Sequence, residues 1–325
     1  MRHRNPQDRR CTYLVAIERS DDLRDLAQYL SFLQTEDCDV VIVDASSPVV
    51  FDENRRVLRW VGRHVAPLAR HRSLSGAIDL VRAGTALSSC EKVIVAHANV
   101  RYSAAELDEL CALLDVHEVV EPQDYFEPMP WWGSIDAARM LIHRGVEEYP
   151  DHGATFGFRR SALRGLRGLE LDMMDTEDPV RRLSLQGAEV FSASELFVRR
   201  IPPDFDEWME ERPRYAEDDF AMPVKSAFFL GMIPMALLLT IFGGWRLSGG
   251  YAATIAFATV ALAIRGRAGA AAFFPLRACL YAPLWVVERS VSVYWALFRK
   301  LRVATAEPGP APAAERTSSR VASGE

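Results

Sequence analysis

The chain reads as an α/β protein: a mostly parallel, doubly wound sheet domain followed by C-terminal membrane helices. Three observations predict this. Short apolar runs alternate with stretches of helical periodicity over the first 200 residues or so, as expected for strands joined by crossover helices. Near Lys225 the composition changes, from an acidic, soluble-looking sequence to apolar, basic segments. Between Lys225 and Arg302 nine basic residues stand against Glu288 alone, a net charge of +8; with −1 on the remaining tail and −6 overall, about −13 falls on the part before Lys225.

Residues 13–17 form an apolar run that leads through an acidic turn into Leu23, Leu26, Leu30 and Leu33 at helical spacing, so a strand followed by a helix is expected. Residues 39–43 give a second strand ending at Asp44, and 93–96 a third ending at His97. Ligands of doubly wound sheets bind beyond the carboxyl ends of the strands, which makes both residues site candidates. Residues 119–121 read as a further strand and 131–144 as a helix, with the aromatic, proline-rich loop Tyr125, Phe126, Pro128, Pro130, Trp131, Trp132 between them. These rings either cover the sheet or form a stacking wall for a sugar or lipid acceptor.

Residues 226–242 and 251–264 are almost wholly apolar, with Gly243, Gly244, Gly249 and Gly250 between them. Each approaches the roughly 20 residues that span a bilayer, so a membrane hairpin is expected at about 226–264. Residues 272–298 carry Arg277, Glu288 and Arg289 among aromatics, which suits an interfacial helix better than a clean span, although a spanning one stays open. Lys225, Arg265 and Arg267 put both hairpin ends on the cytoplasmic side of the plasma membrane. The division is therefore a polar segment at 1–10, the α/β domain at 11–220, a membrane region at 221–302 and a disordered tail at 303–325.

The acidic front domain argues against nucleic acid as a partner, because phosphate backbones are bound through basic patches. The five cysteines are scattered, without zinc or redox spacing, and are expected to stay reduced. No apolar run suited to a signal peptide follows residues 1–10, so the front domain is expected to face the cytoplasm.

The run from Asp175 through Glu177, Asp178 and Pro179 sets carboxylates just before a helix that begins at Pro179. Such a carboxylate can cap the helix or act as a general base toward a hydroxyl.

The order of segments resembles a membrane-associated family 2 glycosyltransferase of the GT-A nucleotide-sugar-binding, Rossmann-like fold. The matching stretches are YLVAIERSDDL, VIVDASS, SLSGAIDLVRAG, HGATFGFRRSAL, TEDPVRRLSLQG and EWMEERPRY, the last just before the membrane helices. The resemblance implies an inverting transfer from a nucleotide-sugar donor to a lipid-linked or membrane-presented acceptor, with membrane lipids as further partners. It implies Asp178 as the base, with Glu177 beside it in the Glu-Asp motif, and Asp44 as a holder of the nucleotide's base or ribose. Arg212 and Arg214 would neutralise the leaving diphosphate, or else contact anionic lipid; Trp131 and Trp132 would stand on the acceptor side. Where the family carries its metal-binding Asp-x-Asp, this chain has His97, Ala98 and Asn99. His97 and Asn99 could hold Mn²⁺ or Mg²⁺ with the donor, or the site could work without metal through its arginines. The altered motif leaves a second expectation open, a non-catalytic GT-A-like scaffold that binds nucleotide, glycan or a partner protein.

Overall fold

The computed structural model describes residues 9–17, 23–66, 86–146, 153–165, 179–185, 187–218, 220 and 223–305. The chain opens with strand β1 (Cys11–Ile17), helix α1 (Leu23–Thr35), β2 (Cys38–Asp44), α2 (Pro48–Leu58) and β3 (Arg63–Val65). It continues with β4 (Lys92–His97), β5 (Val100–Arg101), α3 (Ala104–Val116), β6 (Val119–Phe126), α4 (Trp131–Val146), β7 (Thr155–Arg159) and the short α5 (Arg160–Gly165). Then come α6 (Pro179–Leu185), β8 (Val190–Arg200), α7 (Phe205–Asp218), α8 (Pro223–Gly266), α9 (Leu276–Leu280) and α10 (Ala282–Thr305).

The strands make one sheet in the order β3-β2-β1-β4-β7-β6-β8-β5. β1 and β2 are apolar along their length because helices cover both faces, so their side chains alternate between two cores rather than between core and water. On one face Tyr13, Ile17, Val40 and Ile42 pack with Leu26 and Leu30 of α1 and Leu107 and Leu110 of α3. On the other, Leu14, Val41, Val43 and Val95 pack with Phe156, Phe158, Val180 and Leu183. Helix α3 starts cleanly because Ser103 and Glu106 cap each other: Glu106 N donates to Ser103 Oγ at 3.3 Å and Ser103 N to Glu106 Oε2 at 2.7 Å.

The expected parallel sheet is interrupted by β7, which runs antiparallel to both β4 and β6, and by β5, antiparallel to β8. The reason for β7 lies at its start, where His97 N donates to Ala154 O at 2.9 Å. The chain is then already at the carboxyl edge of β4, and a strand leaving from there can only run back down the sheet.

The apolar stretch after residue 223 folds as a helical hairpin. Residues 223–266 are two helices joined at Gly244, which sits at φ 71°, ψ −179°, outside helical geometry. Tyr251 Oη donates to Met232 Sδ at 3.3 Å. Nineteen residues of straight helix would separate that pair by about 28 Å, so the chain doubles back at Gly244, where a positive φ favours glycine. One arm is 223–243, the other 245–266. The segment's most apolar 18-residue window has a mean hydropathy of 2.0 and is 11% buried, so by length and composition the segment is a candidate membrane span.

The hairpin base, α9 and α10 pack on α4 and α7 around Phe126, Leu141, Trp208, Phe229, Phe274 and Trp285. Contact between α4 and the second arm is close enough to require glycines: a Cβ on Gly145 would stand 2.5 Å from Leu262 O, and one on Gly266 would overlap Leu141 O.

Candidate nucleotide-binding site

Six strands, β1, β2, β3, β4, β6 and β8, run in the same direction, so Ile17, Asp44, Val65, His97, Phe126 and Arg200 finish at one edge of the sheet. Asp44 and His97 stand two strands apart there, on either side of β1.

Asp44 is a buried carboxylate with a full set of donors. Ser46 N and Asn54 Nδ2 donate to it at 2.9 Å each, and His64 Nε2 lies 2.8 Å from Oδ2. The first of these is the tight turn that Ala45, Ser46 and Ser47 make after β2; the second ties in α2, and the third ties in β3. Burial by itself would raise this carboxyl, but the hydrogen bonds from Ser46, Asn54 and His64 outweigh it and hold the group below its ordinary value. Phe51 stacks on the His64 ring at 4.3 Å and 14°. The other ring nitrogen of His64, Nδ1, is buried without a hydrogen-bond partner among the described residues. His64 was not singled out in the sequence, because the three-residue strand that carries it is too short to show a period.

The His97–Asn99 segment is a tight turn between β4 and β5. His97 is exposed, whereas Asn99 Oδ1 is buried and unpaired among the described residues. Ile201 N donates to Asn99 O at 2.8 Å, which seats the turn beside the exit of β8. Arg101 Nη1 donates to Ala98 O at 2.6 Å and further fixes it. Asn99 offers one hard oxygen and His97 one imidazole, two of the ligands that a divalent ion would need; no cluster of three His, Cys, Asp or Glu suited to a metal occurs among the described residues. Next to this turn, Gly153 N donates to Glu121 Oε1 at 3.1 Å, and Thr155 Oγ1 donates to Val95 O at 2.8 Å. Glu121 is nearly inaccessible and was likewise not singled out, since a lone acid ending an apolar run reads as a strand terminus.

The structure gives Arg212 a different occupation from the diphosphate contact expected of it. It is 3% exposed, with Nη1 and Nη2 donating to Asp136 at 2.6 and 3.1 Å and Nε donating to Trp208 O at 3.0 Å. All three donor groups thus face inward. Arg214 follows on the same helix, its side chain outside the described residues; Glu177 and Asp178 lie outside them as well, as does the SLSGAIDLVRAG segment. Pro179 does open a helix, α6, as its position predicts. Trp132 is fixed as part of the sheet's cover, its Nε1 donating to Pro203 O at 3.1 Å. Trp131 remains 51% exposed, edge-on to Trp132 and tilted against Phe205, so only this ring presents an open face.

No family model and no curated protein matches the chain. Solved structures do. In fold, the chain is similar to nucleotide-sugar transferases. A mannosyltransferase from Pyrobaculum calidifontis, solved in complex with GDP-Man and Mn²⁺, is 16% identical over 90% of this chain and 89% of that chain, with a TM-score of 0.49. A glucosyl-3-phosphoglycerate synthase from Mycobacterium tuberculosis, solved with Mn²⁺, UDP and phosphoglyceric acid, is 12% identical over 66% of this chain and 78% of that chain, with a TM-score of 0.42. A putative nucleotide-diphospho-sugar transferase from Desulfovibrio desulfuricans is 10% identical over 59% of this chain and 82% of that chain, with a TM-score of 0.36.

Proposed function

We propose that the protein is a membrane-anchored, inverting glycosyltransferase that moves a sugar from a nucleotide-sugar donor to a lipid-linked or membrane-presented acceptor. The observation that carries this reading is the carboxyl edge of the sheet: a buried, ionised Asp44 braced by Asn54 and His64, with only β1 between it and the His97–Asn99 turn that ends β4. The domain that carries that edge is followed by an apolar helical hairpin. Both features agree with the motif order of the family the sequence resembles.

In this reading the nucleoside lies against Asp44, His64 and Phe51, and the diphosphate lies toward His97 and Asn99. A Mn²⁺ or Mg²⁺ ion bound with the donor would take Asn99 Oδ1 and the His97 imidazole as ligands and would offset negative charge on the diphosphate. Arg214 is the remaining guanidinium candidate for the same charge. Asp178 removes the proton from the acceptor hydroxyl as its oxygen bonds to the anomeric carbon. The bond from that carbon to the diphosphate oxygen breaks, and the nucleoside diphosphate leaves with the electron pair. Trp131 offers the acceptor an aromatic face.

Calorimetric titration of the detergent-purified protein with UDP, GDP and dTDP, each with and without Mn²⁺ or Mg²⁺, tests the reading. Binding of one nucleotide that is weakened by His64→Ala supports it. Absence of binding by all three, together with no product from labelled nucleotide sugars, would favour the scaffold alternative.

A further inference from the structure

Helix α10 is apolar on both faces, unlike a helix on a water-soluble surface. Leu284, Val287, Val291, Trp295 and Phe298 recur at steps of three and four along its outer face, each about half exposed or more. The inner face buries Trp285, Val286, Val293 and Ala296, and among them Arg289, only 3% exposed, with Ser290 and Ser292. Water would disfavour the exposed apolar row and would draw the guanidinium outward. Lipid favours this arrangement.

The hairpin fixes how deep such a face would lie. Each arm has about 21 residues, or roughly 31 Å, which matches the hydrocarbon thickness of a bilayer. The tip bears Trp245, Arg246 and Ser248, groups suited to the far interface and costly within the hydrocarbon. With the tip placed there, residues 223 and 266 stand at the near interface. Helix α10 meets the first arm at Phe229 and Leu230: the Trp285 and Phe229 rings are 5.6 Å apart, and Tyr294 Oη donates to Leu230 O at 2.5 Å. Leu230 is seven residues from Pro223, about 10 Å along the arm. The outer face of α10 therefore falls at the depth where interfacial helices rest.

Both ends of this segment are tied to the same side. Arg277 Nη2, in α9, donates to Met129 O of the sheet domain at 3.2 Å, and Arg299 Nε stands 3.5 Å from Glu217 Oε1 of α7. A helix held at both ends by one domain does not cross. Lys300 and Arg302, beyond Arg299 at its close, supply cations for anionic headgroups.

We infer that α9 and α10 form a second lipid-contacting surface, sunk into the near leaflet of an anionic bilayer without spanning it. The inference rests on the hairpin being a membrane anchor, and it gives the sheet domain a fixed face toward the lipid. The hairpin base already packs on α4 of the sheet domain, and a second lipid contact beside it sets the attitude of that domain to the leaflet, so that an acceptor there approaches from one direction.

The test uses the full-length protein in vesicles of phosphatidylcholine and phosphatidylglycerol. An NBD fluorophore is attached at Val291→Cys, at Phe257→Cys on the second arm, or at Val49→Cys on α2, in a Cys111→Ser background. The native cysteines are all buried, and the three chosen positions are all exposed. Lipids brominated along their acyl chains should quench the probe at 257 and at 291 and leave the one at 49 unaffected. Replacing Lys300 and Arg302 together by Gln, which leaves the Arg299 tie in place, should reduce quenching at 291 and not at 257. Quenching at 257 without quenching at 291 overturns the second contact and leaves the anchor standing. Loss of quenching at both removes the anchor and this inference with it.

Discussion

Arg212 and Asp136 form a two-pronged ion pair across the seam between α7 and α4, with Nη1 to Oδ1 at 2.6 Å and Nη2 to Oδ2 at 3.1 Å. Trp208 Nε1 adds a third donor to the same carboxylate at 2.9 Å, and the guanidinium lies over the Trp208 ring at 4.4 Å. Burial would raise the Asp136 carboxyl, but the charges of Arg212 and Arg139 outweigh it and keep the group below its ordinary value. The pair secures the last helix of the sheet domain to α4, on which the hairpin base also packs. In Asp136→Ala, Arg212 keeps its burial and loses its counter-charge. A loss of about 3–5 kcal/mol is expected in guanidinium unfolding of the detergent-solubilised protein; a loss below about 1 kcal/mol would show that the pair is not structural.

Gly266→Ala should also destabilise, through sterics and not charge. Its Cβ would overlap Leu141 O, a backbone atom that cannot turn aside. The cost should be about 1–3 kcal/mol, as for overpacked cores. Gly231→Ala is the matched control, because its Cβ would meet nothing within 4 Å. Equal melting curves for the two variants would contradict the close approach of α4 and the second arm.

Acid should unfold the protein in a defined range. Asp44 and Asp136 both titrate lower in the folded state than in the unfolded chain. The unfolded chain therefore takes up their protons first as pH falls. Their contribution is complete above the ordinary carboxylate value of about 4 and declines as pH drops below it. Asp44→Asn should flatten the fall in stability measured between about pH 4 and pH 2. A slope identical to wild type would mean that Asp44 has no such role.

The Cys111 thiol should titrate below an ordinary cysteine. A hydrogen bond from Cys11 lowers it, burial opposes this, and Arg10 adds to the lowering, leaving it at about 7. Cys11 itself is pushed well up by its hydrogen bonds to Cys111 and Cys38 and by burial. Alkylation of Cys111 by iodoacetamide, followed by mass spectrometry, should rise through about pH 7 and level off above it, because the thiolate is the reactive form. Arg10→Gln should move that inflection upward. An inflection near the ordinary thiol value in wild type would refute the coupling.

Asp178→Asn should abolish sugar transfer and leave nucleotide affinity nearly unchanged, if Asp178 is the base. Single-turnover assays with a labelled donor would measure the first, and calorimetry the second. Turnover close to wild type would rule the assignment out.

Much of the fold was legible because its signals are local. β1, β2 and β4 were found as apolar runs, and α1 by Leu26, Leu30 and Leu33, which the structure buries. The hairpin was legible from two apolar stretches around a glycine pair, and Gly244 takes the positive φ that turns it. The antiparallel entry of β7 was not legible, since it depends on where Ala154 meets His97, 57 residues away in sequence. Asp44 could be read from its place at a strand end; its bracing by Asn54 and His64 could not, because α2 and β3 had first to be brought to that end. Arg212 shows the limit most directly. Its position before the membrane helices suggested a ligand contact, and only packing against α4 reveals that Asp136 takes both its Nη groups.

By itself, the sequence determined the α/β class, the order of the elements and the break between the acidic domain and the apolar helices. Periodicity and hydropathy are properties of neighbouring residues, and they survive in any packing. The tertiary structure decided which charges are spent inside the protein and which remain at its edge, and which face of α10 is left uncovered. Those outcomes depend on residues far apart in the chain, and on the cost of burying a charge that finds no partner.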